Sequence, residues 1–342
     1  MLNKVRLLTP GPTPLPERVR LVLAKDMIHH RKGEFKAIMG RVQERLRVLF
    51  GTSDAVLPLS CSGTGAMTAA VYSLFTPGQR VLVVEGGKFG QRWREIAASR
   101  GLETTTIEIP WGQAVDPQAV AAALKADPSI AGVLVQHSET STGVLHPVEE
   151  VARITRETDT LLLVDGISAV SLAPCPMDQW GIDCLVTGSQ KGLMLPPGLA
   201  LLALSPRAWK RAESLTPGCF YFNLPKEKAK VTQGQTLFTS AVNLVVGLDE
   251  SLDMLLENGL EAVYAKQWAL TMLTRTGVAA MGLELYAKDH FAWGITSVML
   301  PAGVDGTEVL RIAMEKYGVC MAGGQDHMKG RMVRIGHMGW VD

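Results

Sequence analysis

The chain has 342 residues, with 34 Lys plus Arg against 33 Asp plus Glu, a formal net charge of +1 and 47% hydrophobic residues. That length suits one large or two ordinary domains, and the balanced charge gives no support to a nucleic-acid or polyanion partner. No apolar run nears the ~20 residues of a membrane span, no signal core follows Met1, and the five cysteines form no CxxC, so a soluble cytoplasmic enzyme is expected.

From about residue 55, short apolar runs alternate with helical patterns. Residues 56–59 read as strand and 65–75 as helix, closed by Thr76-Pro77-Gly78. Residues 80–85 (RVLVVE) are strand, 91–100 helix, and 104–109 strand. Asp116 caps a helix through Lys125, with Pro117 at its first position. Strands follow at 130–136 and 160–165 (TLLLVD), around a helix at 147–157. Further strands fall at 183–187 and 199–204. Strands this apolar, spaced by helices, predict an α/β fold with a mostly parallel seven-stranded sheet covered on both faces. Residues 241–277 read as helix, interrupted near Asn258-Gly259. Two or three short strands and a helix at 305–316 then predict a smaller α+β domain. The expected division is a large domain over 16–250, with 251–342 and the N-terminal segment 1–15 in the small one.

Ligands in open α/β sheets bind beyond the carboxyl ends of the strands. The first strand runs into Ser62-Gly63-Thr64-Gly65, small residues that bare backbone N–H groups at a helix start, where an anion is favoured. Three readings stay open for this loop: a phosphate anchor, a dinucleotide turn paired with Glu85, or a plain helix cap. Asp165 ends an apolar strand. Lys191 precedes an apolar, Pro-rich loop and is expected to be buried, which favours its neutral form and suits a Schiff-base nucleophile. A lysine, a strand-end carboxylate, a phosphate cradle and Phe89, in a Gly-rich loop, together match the needs of pyridoxal phosphate.

These residues also carry a family resemblance. LLTPGPTPLP (7–16), HHRKGEF (29–35), SGTGAM (62–67), GGKFGQRW (86–93), HSETSTGVL (137–145), LLLVDGIS (161–168), GIDCLVTGSQKGLMLPPGL (181–199) and RIGHMG (334–339) resemble the class V aminotransferases of fold type I. Within them the chain looks like the alanine–glyoxylate and serine–glyoxylate/pyruvate group. The resemblance implies that Lys191 carries the cofactor and Asp165 meets its pyridinium nitrogen. It implies that Phe89 stacks on the ring and Ile167 lies under it. It implies that Ser62, Gly63, Thr64 and Gln190 hold the phosphate, with Thr140 near the phenolic oxygen. Thr236 and Thr239 match positions that reach the neighbouring subunit's cofactor in a homodimer. Arg334 matches the clamp on the substrate carboxylate, and Pro10 and Gly11 line the substrate pocket.

Read on its own, an Arg in a short strand at 332–335 is an ordinary solvated or paired charge. His29-His30 is expected to be a structural or interface pair, Cys320 a buried core cysteine, and the Met and Leu stripe at 272–283 core. The function expected is transfer of an amino group from alanine or serine to glyoxylate or pyruvate. The alternatives are a 2-aminoethylphosphonate transaminase, a desulfurase or lyase, or a non-catalytic subunit. A phosphonate would need cations that only Arg31, Lys32 or Lys88 could supply.

Overall fold

A computed structural model describes residues 5–341. Its centre is a seven-stranded sheet of β1 (Val56–Leu59), β2 (Arg80–Glu85), β3 (Glu103–Glu108), β4 (Ile130–Gln136), β5 (Leu161–Asp165), β6 (Cys184–Gly188) and β7 (Ala200–Leu204). The order across the sheet is β1-β7-β6-β5-β4-β2-β3, and only β7 runs against its neighbours. The expected architecture is therefore present, and the strand ends fall within a residue or so of the apolar runs that announce them.

The uniformly apolar strands bury both faces. In β2, Leu82 and Val84 pack into one core with α1 (Gly33–Phe50), while Val81 and Val83 pack into the other with α2 (Gly63–Leu74) and Trp93. The edge strand β3 is Thr-rich and largely exposed. Helix α1 was not anticipated, because its apolar stripe of Phe35, Ile38, Met39, Val42 and Leu46 lies before the alternating region.

Asp183, just ahead of β6, is an anchor of this layer. Its carboxylate accepts from Leu162 N (2.8 Å), Ser205 Oγ (2.7 Å) and both Nε and Nη2 of Arg207 (2.6 Å each). Asp183→Ala should destabilise the protein by about 3 kcal/mol, because a buried amide loses its acceptor while partly exposed Arg207 can rehydrate. Urea unfolding that finds less than about 1 kcal/mol would contradict this account.

Helices α6 (Val242–Leu256) and α7 (Gly259–Ala280) follow, the first against α1 and the second against a four-stranded antiparallel sheet. That sheet is β8 (Glu284–Leu285), β9 (Ile295–Met299), β11 (Met332–Gly336) and β10 (Ala322–Gly323), in this order. The Met and Leu stripe is not core. Met272, Leu273 and Met281 are exposed, and the buried face of α7 is Gln267, Thr271, Arg275 and Val278. Polar side chains turn inward there because loop carbonyls need donors: Arg275 bonds Ala287 O and Lys288 O, and Gln267 bonds His337 O. Cys320 is not in the core either. It is half-buried in a short strand that pairs with Arg6–Leu7. His29 and His30 stack on each other, ring centroids 4.8 Å apart.

Candidate active site

Asp165 and Lys191 come from neighbouring strands. Asp165 closes β5 opposite Val186 of β6, and the chain leaves β6 at Gly188 to reach Lys191 three residues on. Both side chains are buried. The lysine loop is held by its own backbone: Leu195 N bonds Ser189 O at 3.0 Å and Met194 N bonds Lys191 O at 3.1 Å. Leu193, Met194 and Leu195 fill the core beneath it, which is why an apolar loop sits at a sheet edge.

Burial pushes the Lys191 amine down to about 8, against the pull of Asp165 and with help from Arg334 and Arg92. Lys191 Nζ donates to Pro10 O, and Thr13 Oγ1 donates to Lys191 O at 3.0 Å. The N-terminal segment thus crosses the lysine. Gly11 takes φ +103, and a Cβ there would lie 2.5 Å from the Lys191 chain. The same segment bonds the small sheet through Gly336 N to Leu8 O at 2.7 Å.

Asp165 Oδ1 accepts from Ile167 N at 2.8 Å. Burial raises this carboxyl to about 7, opposed by the Ile167 N–H, with Glu139 adding to the rise. Ile167 itself abuts the start of α2, where a Cβ on Gly63 would stand 2.4 Å from its Cδ1. Ser62 caps α2 through Gly65 N, and the first turn leaves amides free beside the hydroxyl of Thr64. Gln190 keeps a buried Oε1 without a hydrogen-bond partner among the described residues.

Phe89 lies not in a loop but in the first turn of α3 (Lys88–Ser99). Its half-buried ring faces Arg92, whose guanidinium carbon is 4.8 Å from the ring centroid. Arg92 Nη1 donates to Thr64 Oγ1 at 3.2 Å, so one arginine joins the phosphate-type turn to the aromatic. Arg92 escaped the sequence reading, although its spacing of three from Phe89 puts both on one helix face. Thr140 Oγ1 donates to Ser168 Oγ at 2.7 Å.

Arg334 is buried rather than solvated. Nε bonds Gly323 O at 2.8 Å and Nη1 bonds Thr140 O at 2.9 Å. Burial lowers its pKa, and its remaining N–H groups are uncommitted among the described residues. Thr236 and Thr239 line a hollow beside Ser60 and Phe222. Thr236 is buried with its hydroxyl on Phe238 O at 2.7 Å, while Thr239 is exposed. Of the three cations that a phosphonate would need, Lys88 pairs with Asp326 at 2.9 Å, Arg31 bonds Gln235, and Lys32 is exposed.

Pyridoxal phosphate fits this donor set. A buried carboxyl held up by desolvation suits a cationic ring N–H, the α2 turn with Arg92 suits a dianion, and a buried amine of lowered pKa suits an aldehyde.

Comparison with known proteins agrees with that chemistry. The family model described as aminotransferase class-V matches residues 19–341. A Synechococcus protein named the small subunit of a soluble hydrogenase is 40% identical over all of this chain and 90% of its own length. The serine–glyoxylate aminotransferase of Methylorubrum extorquens is 34% identical, covering 97% of this chain and 86% of its own. The crystal structure of an alanine–glyoxylate aminotransferase from Nostoc sp. superposes with a TM-score of 0.95 at 29% identity, over 99% of this chain and 92% of that one.

Proposed function

The chain belongs to the class-V aminotransferases, enzymes dependent on pyridoxal phosphate, and from that premise we propose that it moves the amino group of alanine or serine to a 2-oxo acid such as glyoxylate or pyruvate. The observation that carries the reading is the buried Asp165–Lys191 pair at adjoining strand ends, with Arg334 buried nearby and still holding uncommitted donors among the described residues. When bound, pyridoxal phosphate supplies the aldehyde that takes the amino group and a ring that spreads the electron pair left at Cα.

The residues have separate tasks. Ser62, Gly63, Thr64 and Gln190 would bind the phosphate, Phe89 and Ile167 the two ring faces, and Thr140 the phenolic side. Asp165 would keep the ring nitrogen protonated. Lys191 would carry the cofactor through Nζ, and the same amine, when free, would take and return the proton of the substrate Cα. The first oxo acid leaves before the second enters. Pro10 and Gly11 wall the substrate side.

Arg334 grips the α-carboxylate. Two backbone carbonyls already fix its plane, so a carboxylate meets an oriented fork. Arg334→Lys should raise the KM for alanine about ten- to a hundredfold, the worth of one charge-assisted contact of ~1.5–3 kcal/mol, and change kcat far less. Steady-state kinetics checks this, and an unaltered KM would remove Arg334 from the site. Small donors are favoured because Lys88 is already paired with Asp326 and Arg31 is bonded to Gln235, so neither stands free to meet a distal acid.

A homodimer completes the reading. Phe220 and Tyr221 are exposed next to Phe238, Thr236 and Thr239, an apolar patch suited to a second subunit whose cofactor Thr236 and Thr239 would reach. No helix of the described residues is long and apolar enough to cross a membrane; the five free cysteines are what support a reducing, cytoplasmic setting. The test is an absorbance spectrum with pyridoxal phosphate, followed by L-alanine, L-serine and L-glutamate in turn. Bleaching by alanine or serine that glyoxylate reverses is expected. A band that none of them bleaches would overturn the aminotransfer reading.

A further inference from the structure

Glu139 is the most deeply buried carboxylate near the site, and the chemistry above gives it no task. It sits three residues beyond the β4 strand that ends at Gln136, and it is fully buried. Every contact it makes runs to backbone or to one hydroxyl. Oε2 accepts from Phe89 N at 3.0 Å and Gly90 N at 3.1 Å. Oε1 accepts from Ser141 N at 3.1 Å and from Ser141 Oγ. Ser141 Oγ in turn accepts from Lys88 N at 3.0 Å.

These are the amides that open α3. The helix has no side-chain cap of its own, because Gly87 occupies the N-cap position. Gly87 is required there by space and not by backbone angle: a Cβ would stand 2.4 Å from both Glu139 Cδ and Ser141 Oγ. A carboxylate from another strand therefore replaces the local cap and adds a full negative charge at the positive end of the helix dipole. Burial pushes the Glu139 carboxyl up, and the four donors pull it back. The next residue, Thr140, gives its carbonyl to Arg334.

We propose that Glu139 is a positioning residue, which clamps the first turn of α3 so that the Phe89 ring stays seated for the cofactor. This rests on Phe89 as the ring-facing aromatic. Glu139 needs its charge for the task. In Glu139→Gln one oxygen becomes an NH₂ that confronts either the Phe89 and Gly90 amides or the Ser141 amide, so at least one backbone donor loses its acceptor wherever the amide points, and the negative charge goes with it. Gly87→Ala perturbs the same clamp while keeping the charge, by forcing the carboxylate aside.

The readout is the Kd of the purified apoenzyme for pyridoxal phosphate, by quenching of tryptophan fluorescence at a temperature where circular dichroism shows each variant folded. Both Glu139→Gln and Gly87→Ala should bind at least tenfold more weakly than native protein. In a Phe89→Ala background, Glu139→Gln should add threefold or less, because the ring it positions is gone. A Glu139→Gln effect below tenfold, or more than threefold added in the Phe89→Ala background, overturns the proposal. If Glu139→Gln does not fold, the same two thresholds apply to Gly87→Ala. Native protein that fails to bind pyridoxal phosphate defeats the cofactor assignment itself, a result distinct from native binding with unaltered variants.

Discussion

Lys191→Ala should abolish turnover while the protein stays folded and still takes up pyridoxal phosphate without covalent attachment. Proton transfer by a positioned base contributes about 10²–10⁴-fold, and loss of the covalent attachment adds to that. The environment explains why this amine suits the task. Burial brings it down to about 8, so a substantial neutral fraction exists near neutral pH, whereas a solvated lysine near 10.5 would supply almost none. Its one hydrogen-bond partner among the described residues is the Pro10 carbonyl, which accepts a hydrogen bond but donates no proton back. The amine is therefore held without being neutralised by a counter-charge in contact. The expected spectrum lacks the lysine-dependent band and gains only that of free aldehyde. Small primary amines added to the variant should restore part of the activity, since they can carry the same proton. A variant that keeps more than a tenth of native kcat would mean that another group moves the Cα proton.

Asp165→Asn should cut kcat by about 10²–10³-fold, the scale seen when one preorganised electrostatic partner of a transition state is removed. Asn is close to isosteric, and its Oδ1 can still accept from Ile167 N, so the melting temperature should shift by only a few degrees. What it cannot do is hold a positive charge. In the protein alone, desolvation keeps the Asp165 carboxyl near about 7. A ring N–H cation brought against it reverses that balance, because an opposite charge in contact favours the ionised form. Cofactor affinity and stability would then change little while the electron-withdrawing power of the ring falls. A kcat within threefold of native would show that ring protonation does not limit the reaction.

The part of this protein that could be read from its sequence is the part built from local pattern. β2, β4 and β5 are continuous apolar runs, and no helix can hide both faces of such a run between loops so close together. Lys191 stood out for the same reason: a charge beside Leu193, Met194 and Leu195 has no solvated place to go. Phe89 was misplaced into a loop because its helix lacks a local cap, and the group that replaces the cap lies 50 positions away. Arg92 and Thr64 meet across 28 positions, which no periodicity records. The α7 stripe failed for a different reason. Hydrophobicity placed the helix correctly but pointed its Met and Leu side inward, whereas unpaired loop carbonyls set the rotation.

The strap of residues 6–13 has a consequence for how the enzyme comes into being. Arg6 and Leu7 pair with Val319 and Cys320, Leu8 takes the amide of Gly336, and Thr13 closes on a carbonyl 178 positions away. Three of these four partners lie more than 300 positions further along the chain, and closing loops this long is slow. The central sheet, built from nearer neighbours, can assemble before the strap docks. A chain caught at that stage would hold a folded sheet and an unfinished pocket, so activity should lag behind the recovery of secondary structure on refolding.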